Sequence, residues 1–243
     1  MLKKSKYPVI LLSLVFILSF SLSGSAVNYD LAGGSFYTTL TLTDLNNAIE
    51  NYNESIEQAQ QEGDLSVTKM DKMNSAIGFF GGLGLSLRRN FGLGATFESF
   101  STGTGTEITV DDQYGEIDLD IGIDLAVNGL VTMLNTDLND YIGLSGGGGY
   151  YYGTLDMTAN ISASGDYADY IQNESFSETA NVSGFGFKAG GSLHYPLTRQ
   201  SILFSEVHYR MLSLETGEEN NLTNDTTLNA NGIEMRLGVA FRF

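Results

Sequence analysis

The chain has no cysteine and no tryptophan, and its 243 residues include two prolines and two histidines. Without cysteine it can form neither a disulfide framework nor a thiolate metal site. Basic residues are scarce as well: 12 Lys and Arg stand against 29 Asp and Glu, and the formal net charge is −17. Because the nucleic-acid backbone is anionic, this imbalance argues against a nucleic-acid partner.

Apolar runs of the length that a spanning helix needs, about 20 residues, are missing from the sequence. The nearest approach is at the N-terminus, where three lysines precede an apolar stretch from Val9 to Leu22. The small residues Gly24, Ser25 and Ala26 follow this stretch and form a typical cleavage site. The pattern therefore predicts a secretory signal peptide, residues 1–26, with a retained membrane anchor as the alternative. Residues 27–243 then form the mature domain, which is either secreted or enters a membrane as strands.

Glycine, tyrosine and phenylalanine are plentiful, with 29, 13 and 14 residues. Hydrophobic residues make up 42% of the chain, yet the mean hydropathy is −0.04, so the apolar residues are spread thinly. This composition favours an all-β chain over a helical one.

The stretch Asn231–Phe243 alternates with a period of two, which predicts a strand because successive side chains point to opposite faces. Its odd-numbered positions are apolar from Ile233 to Phe243, and the even-numbered ones are charged or small. A strand of a soluble sandwich is the alternative interpretation.

Seven earlier segments show the same alternation, which gives eight predicted strands in all. They are 27–40, 75–89, 91–98, 116–128, 141–156, 184–195 and 203–211. The connections after strands one, three, five and seven are long and polar, among them Thr102–Asp112 and the stretch from 156 to 181. The other connections are short. Membrane barrels sort their loops in this way, whereas soluble barrels have no reason to do so. Ten strands are the alternative, because 156–181 has room for a hairpin.

One segment in the first long connection has a helical period. Leu42, Leu45, Ile49, Tyr52 and Ile56 recur at spacings of three and four, which predicts a helix over 44–60. Such a stripe needs an apolar partner. We therefore expect the helix to dock on the barrel rim or in its mouth, with an exposed partner-binding element or a simply ordered loop as alternatives.

Two places resemble bacterial outer-membrane barrels of the OmpA/OmpX type. The stretch Gly190–Thr198 followed by Ser205–Arg210 resembles their penultimate hairpin, and the terminal Phe243 resembles the residue that the barrel-assembly machinery reads. The resemblance implies an eight-stranded antiparallel up-and-down transmembrane β-barrel in the outer membrane of a Gram-negative-type bacterium, in contact with lipid. Aromatic residues near the strand ends then form two interfacial girdles. These residues are Phe91, Tyr141, Tyr195, Phe241 and Phe243 at the short-turn end, and Phe97, Tyr150, Tyr152 and Tyr209 toward the long-loop end.

With apolar faces turned outward, a set of charged residues points into the lumen. We predict an ion-pair cluster centred on Lys188, Glu206 and Arg236, and expect Glu206→Ala to leave buried positive charge unpaired. The other predicted members are Glu98, Asp118, Asp120, Asp124, His208, Arg210, Glu234 and Arg242. Since side chains fill an eight-stranded barrel, the cluster is expected to be structural, with a conduction path as the alternative.

No catalytic, metal or cofactor site is predicted. Neither His194 nor His208 lies in a predicted loop or on the lipid face with an obvious serine and acid. The acidic loops show no EF-hand spacing. We expect a non-enzymatic protein with a structural or surface-interaction role, whose acidic loops contact an extracellular partner. The alternative is a narrow porin-like channel for small solutes, gated by the helix over 44–60.

Overall fold

A computed structural model describes residues 28–62, 66–88, 90–217 and 227–243. The predicted signal peptide, residues 1–26, lies outside the described residues and stays a prediction. Among the described residues, no helix combines the length and the apolar character needed to cross a bilayer.

Ten strands, one α-helix and one 3-10 helix follow one another along the described chain. They are β1 (Asn28–Thr39), α1 (Thr43–Glu62), β2 (Ser66–Val67), β3 (Ser75–Arg88), β4 (Phe91–Asp112), β5 (Gly115–Asp137), β6 (Ile142–Ala163), the 3-10 helix Gly165–Asp169, β7 (Glu174–Pro196), β8 (Ser201–Thr216), β9 (Thr227–Asn229) and β10 (Gly232–Arg242).

Eight of these strands close into an antiparallel ring. Consecutive strands pair from β3 to β8, β1 pairs with both β3 and β10, and β8 pairs with β10. The short strands β2 and β9 lie outside the ring, where they pair with β4 and β8. The eight-stranded up-and-down barrel is confirmed, and ten barrel strands are excluded.

Four strands continue well past the rim of the ring. The pairing of β3 with β4 stops at Ile77↔Ser101, and that of β7 with β8 stops at Val182↔Thr216. Beyond these points only the distal parts of β4, β5, β6 and β7 pair with one another, and we call this extension the raised sheet. It comprises 102–112, 115–124, 154–163 and 174–181.

The predicted polar loops in this region are therefore wrong. Thr102–Asp112 continues β4 and stays paired with β5 as far as Asp112↔Gly115, so the connection shrinks to residues 113 and 114. The region 156–181 is likewise strand at both ends, with the 3-10 helix between them. The prediction took polar residues as a sign of loops. The outer face of the raised sheet lies beyond the apolar belt, so its strands carry Ser, Thr, Asn and Asp where lipid-facing strands carry apolar residues.

The predicted faces of the fourth strand are also wrong. Leu125 and Val127 are 0% exposed and point into the molecule, whereas Asp120 and Asp124 are exposed on the outer surface. Asp118 shares their side of the strand and accepts a hydrogen bond from the Thr109 hydroxyl (2.8 Å). The inner face of β5 is apolar because it packs against interior neighbours such as Leu155 and Val182 rather than facing water.

Elsewhere around the ring the apolar face is turned outward, as predicted. Ile77, Phe79 and Leu83 of β3 are 70%, 67% and 63% exposed. A belt of this kind suits lipid and not water, since soluble monomers rarely expose apolar patches this extensive.

The predicted helix is confirmed as α1, and its apolar stripe is buried. Leu45 and Ile49 belong to a core that continues to the inner faces of β5 and β6, and Ile56 is buried as well. Two asparagines hold the returning chain: Asn46 bonds both backbone groups of Met73 (2.8 and 3.4 Å), and Asn53 does the same at Met70 (3.0 and 2.9 Å). The helix therefore caps the long-connection end of the barrel.

We call the contacts of Asn46 and Asn53 with the returning chain the asparagine clamp. Two ion pairs flank the clamp on its exposed side. Lys72 lies 3.0 Å from Glu50, and Lys69 pairs with Glu57. The Tyr52 hydroxyl has no hydrogen-bond partner among the described residues, and partial burial raises the pKa of that hydroxyl.

Candidate functional site in the barrel lumen

Charged side chains from four strands meet in the middle of the barrel. They come from β4 (Glu98), β7 (Lys188), β8 (His208 and Arg210) and β10 (Glu234 and Arg236), and each is at most 5% exposed. We call these six residues the lumen cluster. The register explains why they meet: Arg210 lies opposite Lys188, and His208 lies opposite Glu234.

Two carboxylates hold three cations together. Glu234 lies 3.3 Å from Lys188, 2.5 Å from Arg236 and 3.3 Å from Arg210. Glu98 pairs with both Lys188 and Arg236, and it accepts a hydrogen bond from the Tyr151 hydroxyl (3.3 Å). Each buried charge therefore has partners, which is the condition under which burying it is tolerable.

Aromatic rings take up the remaining faces of the two arginines. The Arg210 guanidinium lies 4.4 Å from the ring centre of Phe100, and that of Arg236 lies 4.6 Å from Phe80 and 5.6 Å from Phe36. These are cation–π distances. The rings close the space around the ion pairs at this level of the barrel.

Sequence reasoning missed Tyr151 and these three phenylalanines. The alternation of strand residues could have located Tyr151. It lies between Tyr150 and Tyr152, which both point outward, so its own side chain points inward. A glycine makes room for it: a Cβ on Gly129 would lie 2.4 Å from the Tyr151 ring.

Glu206 was predicted as a central member but lies at the edge of the lumen cluster. Its carboxylate is 3.9 Å from Arg236 and 4.0 Å from His208, beyond hydrogen-bond distance. Its side chain keeps 21% exposure. Glu98 and Glu234 carry the pairing instead, so the expectation that Glu206→Ala leaves positive charge unpaired is not supported by the geometry.

Four other predicted members are not in the lumen cluster. Arg242 pairs with Asp30 at 3.0 Å at the short-turn end, where both side chains are partly exposed. Asp118, Asp120 and Asp124 lie on the outer face of the raised sheet, as described above. Their misplacement follows directly from the inverted faces of β5.

A cavity of about 1210 Å³ occupies the short-turn half of the lumen. Its lining includes Asn28, Asn135, His194 and Arg242, together with Phe204 and Glu206. Beyond them a pocket of about 100 Å³ reaches Arg236. Arg236 is thus the member of the lumen cluster that lines this second pocket.

A histidine, a serine and an acid do come together; His208 and Glu234 were predicted in the lumen, whereas Ser145 was not. The Ser145 hydroxyl lies 2.7 Å from His208 Nε2, and Glu234 lies 3.9 Å from His208 Nδ1. His208 is 1% exposed, and neither it nor Ser145 lines the large cavity. The expectation of a non-enzymatic protein stays a prediction.

The described ranges contain no group of three or more His, Asp or Glu side chains placed to hold a metal ion.

The nine predicted interface aromatics are all exposed, although Phe91 and Tyr141 also line the cavity at the short-turn end. Their exposure runs from 42% for Phe91 and Tyr150 to 75% for Phe243. The register sets Phe97, Tyr150 and Phe185 in one row across β4, β6 and β7, and the rings of the last two are 5.3 Å apart. Their arrangement as two girdles remains a proposal.

No family model and no curated protein sequence matches the chain. Solved structures do match, and they include outer-membrane proteins. Ail of Yersinia pestis, solved with the heparin analogue sucrose octasulfate, is 16% identical with a TM-score of 0.36, over 90% of this chain and 100% of that one. OprG of Pseudomonas aeruginosa is 11% identical with a TM-score of 0.44, over 90% and 96%.

The outer membrane protease OmpT of Escherichia coli also matches, at 10% identity and a TM-score of 0.33, over 89% of this chain and 96% of that one. The similar proteins thus differ in role. The barrel assignment for this chain rests on its own strand pairing and exposed apolar belt.

Proposed function

We propose that this protein is an integral outer-membrane barrel that acts in surface interaction and does not conduct. In this arrangement the short turns face the periplasm, and the raised sheet and α1 stand outside. Export through the predicted signal peptide and recognition of Phe243 by the assembly machinery remain predictions.

The raised sheet is the observation that carries this proposal. A barrel that served only to span the membrane would need strands of about 9–11 residues, whereas β4 to β7 run to 22 or 23 residues. The excess is ordered, paired strand that projects a defined surface beyond the lipid. Ordered projections of this size are where binding residues are expected on a rigid scaffold.

The interior supports a sealed lumen. The lumen cluster brings three cations and two carboxylates together inside the ring, and α1 packs with Met70 and Met73 at the long-connection end. Ions would have to pass both closures.

The test is single-channel recording of the refolded mature chain, residues 27–243, in a planar bilayer. We expect a silent, folded barrel, whose fold is checked by heat-modifiable migration on a gel. Discrete, reproducible conductance steps would contradict the proposal.

The second candidate is the narrow channel, and the large cavity favours it, because half the lumen is already open. On this hypothesis α1 is the gate. Deleting residues 42–74 should then produce conductance, whereas the sealed-lumen proposal expects the lumen cluster to block ions even without the helix.

A further inference from the structure

One edge of the raised sheet has no partner strand among the described residues. Residues 174–180 of β7 pair with β6 on one side, but the pairing of β7 with β8 begins only at Val182↔Thr216. Asn181 accepts a hydrogen bond from the Gly217 amide (3.1 Å), which is the last backbone contact on that side among the described residues. Within the described part of the chain, no strand pairs with the backbone groups of 174–180 that point away from β6.

The opposite edge of the raised sheet is protected. On β4, Thr109 and Ile108 pair with Ser66 and Val67 of β2, and the Thr68 amide bonds Glu107 (3.0 Å). The chain thus covers one edge with its own segment and leaves the β7 edge uncovered in the described structure. Uncovered edges are ready templates for strand addition.

Side chains along the free edge define what would pair there. On the inner face lie Glu174, Phe176, Glu178 and Ala180, and Phe176 is 58% exposed. On the outer face lie Ser175, Ser177 and Thr179. An added strand would therefore place alternate residues beside two carboxylates and one exposed ring.

The negative charge of the raised sheet favours a positively charged partner. The sequence has no Lys, Arg or His between Asn90 and Phe187, so the raised sheet is acidic throughout. Opposite charges facing each other across strands are stabilising and like charges are destabilising. A second copy of this chain would bring the same acidic edge, which disfavours self-pairing.

We propose that the free edge of β7 binds an extended, cationic segment of another protein by antiparallel strand addition. This inference rests on the proposed surface-interaction function and names its site and partner class. The bound segment places basic residues opposite Glu174 and Glu178 and an apolar residue opposite Phe176. Small polar residues alternate with them on the outer face.

The test uses a synthetic peptide, Leu-Thr-Lys-Thr-Leu-Thr-Lys, which meets this pattern in the antiparallel register. The full mature barrel is placed in lipid nanodiscs, and amide hydrogen exchange is followed residue by residue. We expect the peptide to slow exchange at residues 174–180. A peptide with proline at its central threonine, which removes a backbone donor, should give no slowing.

Two matched charge reversals distinguish binding at the free edge of β7 from nonspecific attraction of the peptide to an acidic protein. Glu174→Lys with Glu178→Lys should weaken peptide binding about tenfold. The control, Asp118→Lys with Asp120→Lys, makes the same change in net charge on the outer face of β5 and should leave most of the affinity intact. Glu174→Gln with Glu178→Gln serves if the double lysine variant fails to refold.

Three results would overturn the inference. They are unchanged exchange at 174–180, equal weakening by both charge reversals, and slowing that depends on barrel concentration without peptide, which would indicate a second copy. If binding instead moves to the outer face of β5, the docking site fails but the surface function stands. Conductance of the intact barrel would count against the function itself.

Discussion

At the scale of single residues, Glu234 is the carboxylate on which the lumen cluster depends. It contacts three buried cations, so Glu234→Gln should leave an excess of buried positive charge and destabilise the barrel by about 3–5 kcal/mol. The measurement is the urea midpoint of the refolded barrel, with Glu206→Gln as control. Since Glu206 lies 3.9 Å from its nearest cation, its variant should unfold close to wild type. Equal midpoints for the two variants would contradict this account.

A second residue-scale prediction concerns the space that Gly129 leaves for Tyr151. The Cβ of Gly129→Ala would lie 2.4 and 2.5 Å from two ring carbons, so the ring must move away from Glu98. We expect a loss of about 1–3 kcal/mol by overpacking. Gly81→Ala is the control, because its Cβ would meet nothing closer than 4.0 Å. If the Gly129→Ala and Gly81→Ala variants have the same melting temperature, the Tyr151 side chain is not held in place as described.

At the scale of elements, the two asparagines decide whether α1 stays docked. Asn46→Ala with Asn53→Ala removes four hydrogen bonds to the backbone of Met73 and Met70. Each amide so left unsatisfied costs about 1–3 kcal/mol. We expect much faster limited proteolysis within 43–74, because cleavage follows local opening.

The control for the clamp lies on the same helix. Asn47→Ala with Asn51→Ala makes the same chemical change at exposed positions. Its cleavage rate should match wild type. If both double variants are cut equally fast, helix propensity rather than the clamp explains the docking.

The elements also show what sequence can reveal. Period-two and period-three-to-four patterns gave the strands of the ring and α1, because lipid and a packed core each impose a one-sided pattern. The pattern failed at β5, where the inner face packs against protein and is as apolar as a lipid-facing one would be. Alternation locates a strand; it does not say which side of it is the inside.

The lumen cluster was predictable only in part for a related reason. Parity correctly placed Lys188, Arg210 and Arg236 inside. It could not rank Glu206 below Glu98, because the distance across a barrel depends on register between strands that are far apart in sequence. Asn46 and Asn53 carried no signal at all, since asparagine on a helix surface is usually solvated.

At the scale of the whole molecule, an ion crossing the proposed sealed lumen would meet two closures one after the other, α1 and the lumen cluster. Deleting residues 42–74 alone should leave the barrel silent, and Glu234→Gln alone should also do so. Silence is checked by single-channel recording in a planar bilayer. Steps from the deletion alone would favour the gated channel over the sealed scaffold.

The uninterrupted ladder between β5 and β6 has a mechanical consequence. Pairing runs without a break from Ile117↔Ala163 at the distal end to Asp137↔Gly143 near the short turns. A pull on the tip is directed along the strands, while the ladder hydrogen bonds lie across them. The load is therefore shared in shear by the whole ladder instead of opening it one bond at a time. On the proposed function, the raised sheet and the ring therefore act as one stiff unit that carries a pull on the tip down to the membrane.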